Sequence, residues 1–319
     1  MKVAFLFPGQ GAQTIGMGKE LYEKYETVRA LYAKASEILE KDMEKLCFYS
    51  TSEELAKTEN TQIAIALTSL AMLQVLKQKG VTPELVAGLS LGEYVALMCA
   101  GILEKEEGLL LLKQRGYCMG HLVPDEKYAM AAIIGVESSK IEEVCKKIQA
   151  EGKFVVPANY NYSDQTVISG NEEAVEQAME ILKEKGRVVK LKTGGAFHTS
   201  KLEEARKVFE KDLQKANFHM ENIEENPIKV IKNIDGTVYT KEDKLPEILS
   251  NHIVSPLRFD KTIEKMLAEG IDTFIEVGPG KTLITFVKKE LLKKGKDVSN
   301  YTFLEMSNFE QMEEFYNGK

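Results

Sequence analysis

A single serine, Ser90, stands between two glycines in the stretch GLSLG, and this spacing is typical of a serine nucleophile. An apolar run precedes the motif and a helix-like pattern follows it, which is the strand-turn-helix context that such a nucleophile requires. Backbone amides at a helix N-terminus favour negative charge, so the N–H of Leu91 is the natural donor to an oxyanion. The alternative is that Ser90 only caps the helix. The surrounding pattern favours the nucleophile.

A serine nucleophile needs a general base, and the chain has four histidines. His198 lies in KTGGAFHTS, directly after a strand-like run and a glycine pair, which indicates a constrained backbone. His121 ends a predicted helix, where a histidine suits the helix dipole, and His219 lies in a polar stretch typical of the surface. On local sequence alone, His198 can be the base or a structural loop residue.

A glycine-rich loop, FPGQGAQ, follows the first predicted strand. In parallel α/β sheets the loops after the strands meet at one edge, where active sites form. Gln10 can present a hydrogen-bond donor at that edge. Because glycine loops after strands are common, this loop alone does not identify a site.

Arg115 lies on the apolar face of a predicted helix, since Leu111 and Leu112 precede it by one turn and Met119 follows it by one turn. An inward guanidinium is unfavourable unless it is paired, and its planar fork suits a carboxylate. The alternatives are a structural ion pair and a side chain whose charged end reaches water.

To bring the serine, the histidine, the glycine loop and the arginine together, the chain needs a sheet with helices packed around it. KVAFLF, ELVAGL, PIKVIKNI and TFIEV are predicted strands that alternate with predicted helices, and NTQIAIALTSLAMLQVLKQKG is apolar almost all round, which predicts a central helix. A further helix is predicted from about Val28 to Leu46. From about Ala129 the order is strand, helix, strand, strand, helix, strand, with Asn171 as the cap of the second helix, and this order is ferredoxin-like.

We therefore predict an α/β fold of two domains. Residues 1–127 and 193–319 form a large α/β-hydrolase-like domain with a parallel sheet, and residues 128–192 form a small ferredoxin-like (βαββαβ) domain inserted into it. The chain has 319 residues, of which 44% are hydrophobic, and these suffice for a sizeable core.

Composition excludes several classes of protein. The net charge of −7 argues against a general nucleic-acid binder. The four cysteines lack C-x-x-C spacing, so they predict neither a disulfide framework nor a zinc site, and they favour a reducing compartment. No apolar run approaches the roughly 20 residues of a membrane span, and the N-terminal run is too short for a signal peptide. We expect a cytoplasmic protein.

Several separated motifs occur in one order along the chain: FPGQGAQ, GLSLGEY, RG, AMAAIIG, ANYN with VISG, GAFHTS, SPLRF and EVGPGKTL. Together they closely resemble the malonyl-CoA:acyl carrier protein transacylases of fatty-acid synthesis and the acyltransferase domains of polyketide synthases. The resemblance spans the chain from Phe7 to about Val287. The joint pattern is specific, whereas any one motif is not.

The resemblance implies a role for each catalytic residue. Ser90 is the nucleophile and His198 is its base. Gln10 and the backbone of Leu91 form the oxyanion hole. The backbone carbonyl of His252 orients the base, which makes the pair a dyad without an acidic third member.

The resemblance also implies how the acyl group is selected. Arg115 pairs with the malonyl carboxylate. Phe197 matches the AFH pattern of malonyl-selective members, and its ring crowds a methyl branch, so malonyl is preferred over methylmalonyl. Three places depart from the family: Leu89 stands where members often have histidine, SDQ (Ser163 to Gln165) stands in a turn of the small domain where SPGQ is usual, and Glu203 follows Leu202 where methionine is common.

The reaction implied is ping-pong transfer of malonyl from malonyl-CoA to the phosphopantetheine thiol of acyl carrier protein, through a malonyl-serine, without a metal or bound cofactor. Three alternatives stay open: a free-standing acyltransferase of a polyketide pathway, an acyl hydrolase of the same fold, and a non-catalytic module that binds the carrier. We expect a monomer that binds neither nucleic acid nor membrane.

Three lysines are candidates for docking the carrier protein. Acyl carrier proteins are acidic and this chain has a net charge of −7, so attraction must come from a local cluster. Lys190 and Lys192 alternate on the strand that enters the GGAFH loop and can face one side, and Lys201 follows the loop. The alternative is that all three are solvated lysines without a role.

Overall fold

Two five-stranded sheets organise the chain in the computed structural model, which describes residues 1–193, 195–307 and 313–315. The first sheet has the order β10-β9-β1-β2-β7 and its neighbouring strands are all parallel: β1 (Val3–Phe7), β2 (Leu85–Gly88), β7 (Lys229–Val230), β9 (Thr273–Glu276) and β10 (Thr302–Glu305). The three central strands are buried along their whole length, as parallel strands covered on both faces must be.

The second sheet has the order β6-β3-β5-β4-β8: β3 (Tyr128–Ile134), β4 (Val155–Tyr162), β5 (Gln165–Asn171), β6 (Arg187–Lys190) and β8 (Leu257–Arg258). Pairings among the first four are antiparallel, and β8 joins β4 in parallel. The predicted α/β class, with a parallel sheet and a second sheet, is confirmed. The domain bounds remain a prediction, and β8 enters the second sheet from outside residues 128–192.

Helices cover both sheets: α1 (Lys19–Lys24), α2 (Glu26–Leu39), α3 (Ser52–Ala56), α4 (Thr58–Gln78), α5 (Gly92–Cys99), α6 (Lys105–His121), α7 (Ser138–Ala150), α8 (Glu172–Leu182), α9 (Glu203–Leu213), α10 (Asn222–Glu225), α11 (Leu245–Asn251), α12 (Phe259–Ala268) and α13 (Thr282–Lys293). None of the helices in the described part of the chain is long and apolar enough to cross a membrane.

Alternation along β1 divides the core between the two faces of the parallel sheet. Phe5 and Phe7 point to the side of α4 and α5, whereas Ala4 and Leu6 point to the side of α12 and α13. α4 is buried almost all round, as its sequence predicted. The second sheet packs α7 and α8 on one face, and Met130 on its other face joins the main core.

Three sequence predictions differ from the structure, and two short strands lie where none was predicted. The helix predicted to run to Leu46 ends at Leu39, because Glu40 adopts a left-handed conformation with φ 50°, and a π-helical turn follows over Lys45–Tyr49. Asn171 occupies the N-cap position of α8, but its side chain makes no capping bond and donates to Glu126 instead. The strand predicted for PIKVIKNI is only Lys229–Val230, and the short strands β8 and β10 were not predicted.

Candidate active site

The turn that carries Ser90 leaves no room for a side chain at Gly88 or Gly92, two residues to either side of the serine. Ser90 connects β2 to α5 with φ 56°, a left-handed conformation uncommon for a residue with a Cβ. A Cβ on Gly88 would lie 1.9 Å from the carbonyl carbon of Gly92, and one on Gly92 would lie 2.2 Å from the carbonyl oxygen of Phe7. Glycine is therefore required at both positions, and the turn presents the serine at the carboxyl edge of the parallel sheet.

His198 lies beside the serine hydroxyl. Its Nε2 is 3.0 Å from Ser90 Oγ, and its Nδ1 is 2.9 Å from the backbone oxygen of His252. Because a carbonyl oxygen can only accept, Nδ1 carries the proton and Nε2 is left with a lone pair toward the serine. The two side chains are 108 positions apart in the sequence. Of the described residues that line the cavity, His198 is the only histidine.

The environment of His198 keeps the imidazole neutral. Burial, and after it the positive charge of Arg115, lower the pKa of His198 to about 3, against a smaller opposing effect of the hydrogen bond to His252. A neutral imidazole at pH 7 can accept the serine proton, which is the property a general base needs.

Arg115 projects from α6 into the interior next to the serine. Its side chain is fully buried, Nη2 donates to Ser90 Oγ at 3.0 Å, and Nη1 donates to Gln62 Oε1 at 2.9 Å. Within the described part of the chain, its Nε has no hydrogen-bond partner and no carboxylate forms an ion pair with the guanidinium. Burial lowers the pKa of Arg115. The guanidinium thus stands ready for an anionic group that the chain itself does not supply.

A cavity of about 790 Å³ opens over the serine, and Gln10, Leu91 and Phe197 line it together with Ser90 and His198. Over residues 1–193, 195–307 and 313–315, neither the Leu91 N–H nor the Gln10 side chain has a hydrogen-bond partner. Both are therefore available to a ligand oxygen. No group of three or more His, Cys, Asp and Glu side chains that could hold a metal ion is found in those same ranges.

Two of the three places that depart from the family pattern, Leu89 and Glu203, differ in their surroundings. Leu89 lines the cavity, to which it adds an apolar side chain and no polar group. Glu203 begins α9 and pairs with Arg206 at 2.8 Å, with 45% of its side chain exposed. Glu203 therefore belongs to the helix surface.

The three candidate docking lysines have different surroundings. Lys190 contacts Glu172 at 2.8 Å and Glu176 at 2.7 Å, and Lys201 contacts Glu126 at 3.3 Å. Lys192 is exposed, lines the cavity and, within the described ranges, has no carboxylate partner. Among the described residues, Lys190 and Lys201 therefore have glutamate partners and Lys192 has none.

The sequence patterns did not identify four buried polar residues around the serine: Gln62, Glu93, Asn233 and Tyr239. Glu93 carried a signal, since it is the one charged residue of α5, whereas Gln62 carried little, because it ends the polar run TENTQ at the start of α4. Asn233 carried none, because KNID resembles an ordinary polar turn.

A protein-family model, sequence relatives and solved structures all match this chain to acyl transferases. The acyl transferase domain family matches residues 4–315. The malonyl CoA-acyl carrier protein transacylase of Bacillus subtilis is 41% identical over 290 residues, which cover 90% of each chain. The crystal structure of the protein of that name from Clostridium perfringens has a TM-score of 0.91 at 38% identity, covering 100% of this chain and 97% of that one. A malonyl-transacylase solved in complex with its type II PKS acyl-carrier protein has a TM-score of 0.91 at 30% identity, covering 100% of both chains.

Proposed function

The chain belongs to the acyl transferase domain family, and we propose that it transfers malonyl from malonyl-CoA to the phosphopantetheine thiol of acyl carrier protein in fatty-acid synthesis. The observation that carries this proposal is the buried guanidinium of Arg115, which lies 3.0 Å from Ser90 Oγ without an ion-pair partner in the described part of the chain. A general hydrolase has no need of this cation, whereas a transferase of an acid-bearing acyl group does.

The first half-reaction acylates the serine. His198 Nε2 takes the hydroxyl proton while Ser90 Oγ attacks the thioester carbonyl of malonyl-CoA. The negative charge that develops on the carbonyl oxygen is held by the Leu91 N–H and the Gln10 side chain. When the carbonyl re-forms, the carbon–sulfur bond breaks, CoA leaves with the proton from His198, and a malonyl-serine ester remains.

The second half-reaction reverses these roles with a different thiol. The phosphopantetheine thiol of the carrier gives its proton to His198 Nε2, and its sulfur attacks the ester carbonyl of malonyl-Ser90. The carbon–oxygen bond breaks and the serine takes the proton back. Throughout, the backbone oxygen of His252 holds the Nδ1 proton and stabilises the imidazolium that forms transiently.

Arg115 selects the acyl group. In the free enzyme its Nη2 donates to Ser90 Oγ, and a malonyl carboxylate replaces that single contact with a bidentate pair. A neutral acyl group leaves the buried charge unpaired, which is unfavourable. Phe197 is 8% exposed and occupies the cavity wall next to the base, where its ring leaves little space for a methyl branch.

We further propose that the carrier docks at the cavity mouth with Lys192 as its main electrostatic contact, since glutamates already neutralise Lys190 and Lys201. The serine and histidine supply the nucleophile and the base, so the reaction uses no resident metal or cofactor. The four cysteines are free thiols, which suits a reducing cytoplasm, and the enzyme acts as a monomer.

One experiment tests the reaction and separates it from its alternatives. The purified protein is mixed with malonyl-CoA and analysed by intact-protein and peptide mass spectrometry, and a malonyl adduct is expected on Ser90 and absent in Ser90→Ala. A holo carrier protein is then added, and the adduct should move to the carrier. Release of free malonate at the rate of CoA release would instead identify a hydrolase. Comparison of fatty-acid and polyketide carriers decides between the two pathways.

A further inference from the structure

Asn233 lies directly beneath the nucleophile although it is 143 positions away in the sequence. It follows β7 and is buried, with 1% exposure. Its Oδ1 accepts from the Ser90 N–H at 2.8 Å, and its Nδ2 donates to the backbone oxygen of Gly88 at 2.5 Å. One side chain thus bonds to the backbone at Gly88, where β2 ends, and at the serine itself.

That turn holds Ser90 in a left-handed conformation, which a residue with a Cβ keeps only where its surroundings enforce it. We propose that Asn233 is a positioning residue for the nucleophile: its two hydrogen bonds fix the backbone of Ser90 so that Oγ stays within reach of His198. This inference rests on the proposed function, in which Ser90 is acylated.

Asn233 is itself held in place, so its amide can act as a rigid brace. Its backbone N–H donates to Glu93 Oε2 at 3.3 Å, and its backbone oxygen accepts from the Arg258 N–H at 2.7 Å. The other oxygen of Glu93 accepts from the Tyr239 hydroxyl at 2.6 Å. Asparagine suits this position because the turn presents one donor and one acceptor, and the amide carries an acceptor atom and a donor atom side by side on one short side chain.

The hydrogen bonds of Asn233 also determine which backbone N–H is free to donate to the substrate oxyanion. Because Asn233 Oδ1 occupies the Ser90 N–H, that N–H is not free to bind an oxyanion. The Leu91 N–H, which has no partner in the described part of the chain, is left for that purpose. Loss of Asn233 is therefore expected to disturb the nucleophile and the oxyanion donor together, since the two residues are adjacent.

The test compares Asn233→Ala with a matched control, Asn226→Ala. The Asn226 side chain makes the same pair of bonds elsewhere: it donates to the Ala100 oxygen at 2.8 Å and accepts from the Ile228 N–H at 2.9 Å. Rapid-quench acylation by malonyl-CoA gives two quantities for each variant. The burst amplitude counts competent active sites, and the burst rate constant reports the chemistry at each of them.

For Asn233→Ala we expect the acylation rate constant per active site to fall by about 10- to 100-fold, since misplacement of a reacting group by about 1 Å has effects of this size. The KM for malonyl-CoA should change by less than about threefold, because Arg115 and the cavity are intact. For Asn226→Ala the rate constant should stay within about twofold of the parent enzyme, even if the melting temperature of this variant falls by as much as that of Asn233→Ala. A lower amplitude at an unchanged rate constant in Asn233→Ala would overturn the proposal.

Two further measurements keep the test decisive. If Asn233→Ala does not fold, Asn233→Asp replaces it. The aspartate keeps an acceptor for the Ser90 N–H, but as a carboxylate it lacks the donor for the Gly88 oxygen. A lower acylation rate constant in Asn233→Asp supports the brace, and the rate constant of the parent enzyme overturns it. If malonyl-CoA fails to acylate the parent enzyme, the proposed function fails. The brace is then judged by labelling of Ser90 with a fluorophosphonate, which should be slower in Asn233→Ala than in Asn226→Ala.

Discussion

Replacement of Arg115 by alanine should invert the preference of the enzyme between acid-bearing and neutral acyl groups. The side chain is fully buried and has no ion-pair partner in the described part of the chain, so a bound malonyl carboxylate supplies the direct ion pair that the free enzyme lacks. Truncating one partner of such a buried pair costs about 2–5 kcal/mol. At 1.36 kcal/mol for each factor of ten, kcat/KM for malonyl-CoA should fall by about 30- to 5,000-fold.

The expectation for acetyl-CoA has the opposite sign. In the parent enzyme the guanidinium donates to Ser90 Oγ and stays buried and unpaired when a neutral acyl group binds. Its removal lifts that penalty and frees a lone pair on the nucleophile, so kcat/KM for acetyl-CoA should stay equal or rise. The ratio of the two constants is therefore more informative than either one alone.

The assay is single-turnover acylation with each thioester, and burst amplitudes correct for any loss of folded protein. Arg206→Ala is the control, because Arg206 pairs with Glu203 and Glu210 on the surface of α9 and its loss should leave both constants within about twofold. Equal losses for malonyl-CoA and acetyl-CoA in Arg115→Ala would mean that the residue only supports the fold, and the reasoning would be refuted.

Three further expectations follow from the same site. Because burial holds the pKa of His198 at about 3, the base stays neutral, and the acylation rate should remain flat from about pH 7.5 to about pH 5.5; a decline centred near 6.5 would contradict this. Lys192→Glu should raise the KM for acyl carrier protein several-fold and weaken its dependence on salt while sparing acylation by malonyl-CoA, whereas Lys185→Glu, before the start of β6, should not; equal KM values would place docking elsewhere. Phe197→Ala should raise kcat/KM for methylmalonyl-CoA relative to malonyl-CoA by about tenfold in a direct competition assay, and an unchanged ratio would show that the ring does not limit the acyl group.

The sequence alone determined the features that depend on residues close together in the chain. The periodicity of α4 and α6, the glycines around Ser90 and the apolar strands are local patterns, and each produces the same element in the folded protein. Helix periodicity also placed Arg115 on an inward face, because residues one turn apart share a side of the helix. The ordered motifs then identified the family.

Tertiary structure decided which distant groups meet. Ser90 and His198 lie 108 positions apart, and no local pattern requires their 3.0 Å contact. Asn233 gave no signal, since an asparagine in a polar turn is ordinary until packing places it beneath Ser90. In the sequence Lys190 has no evident partner, whereas the fold places Glu172 and Glu176 of α8 within ion-pair distance of it. Contacts between elements depend on how helices and sheets pack as bodies, and that arrangement is a property of the whole chain.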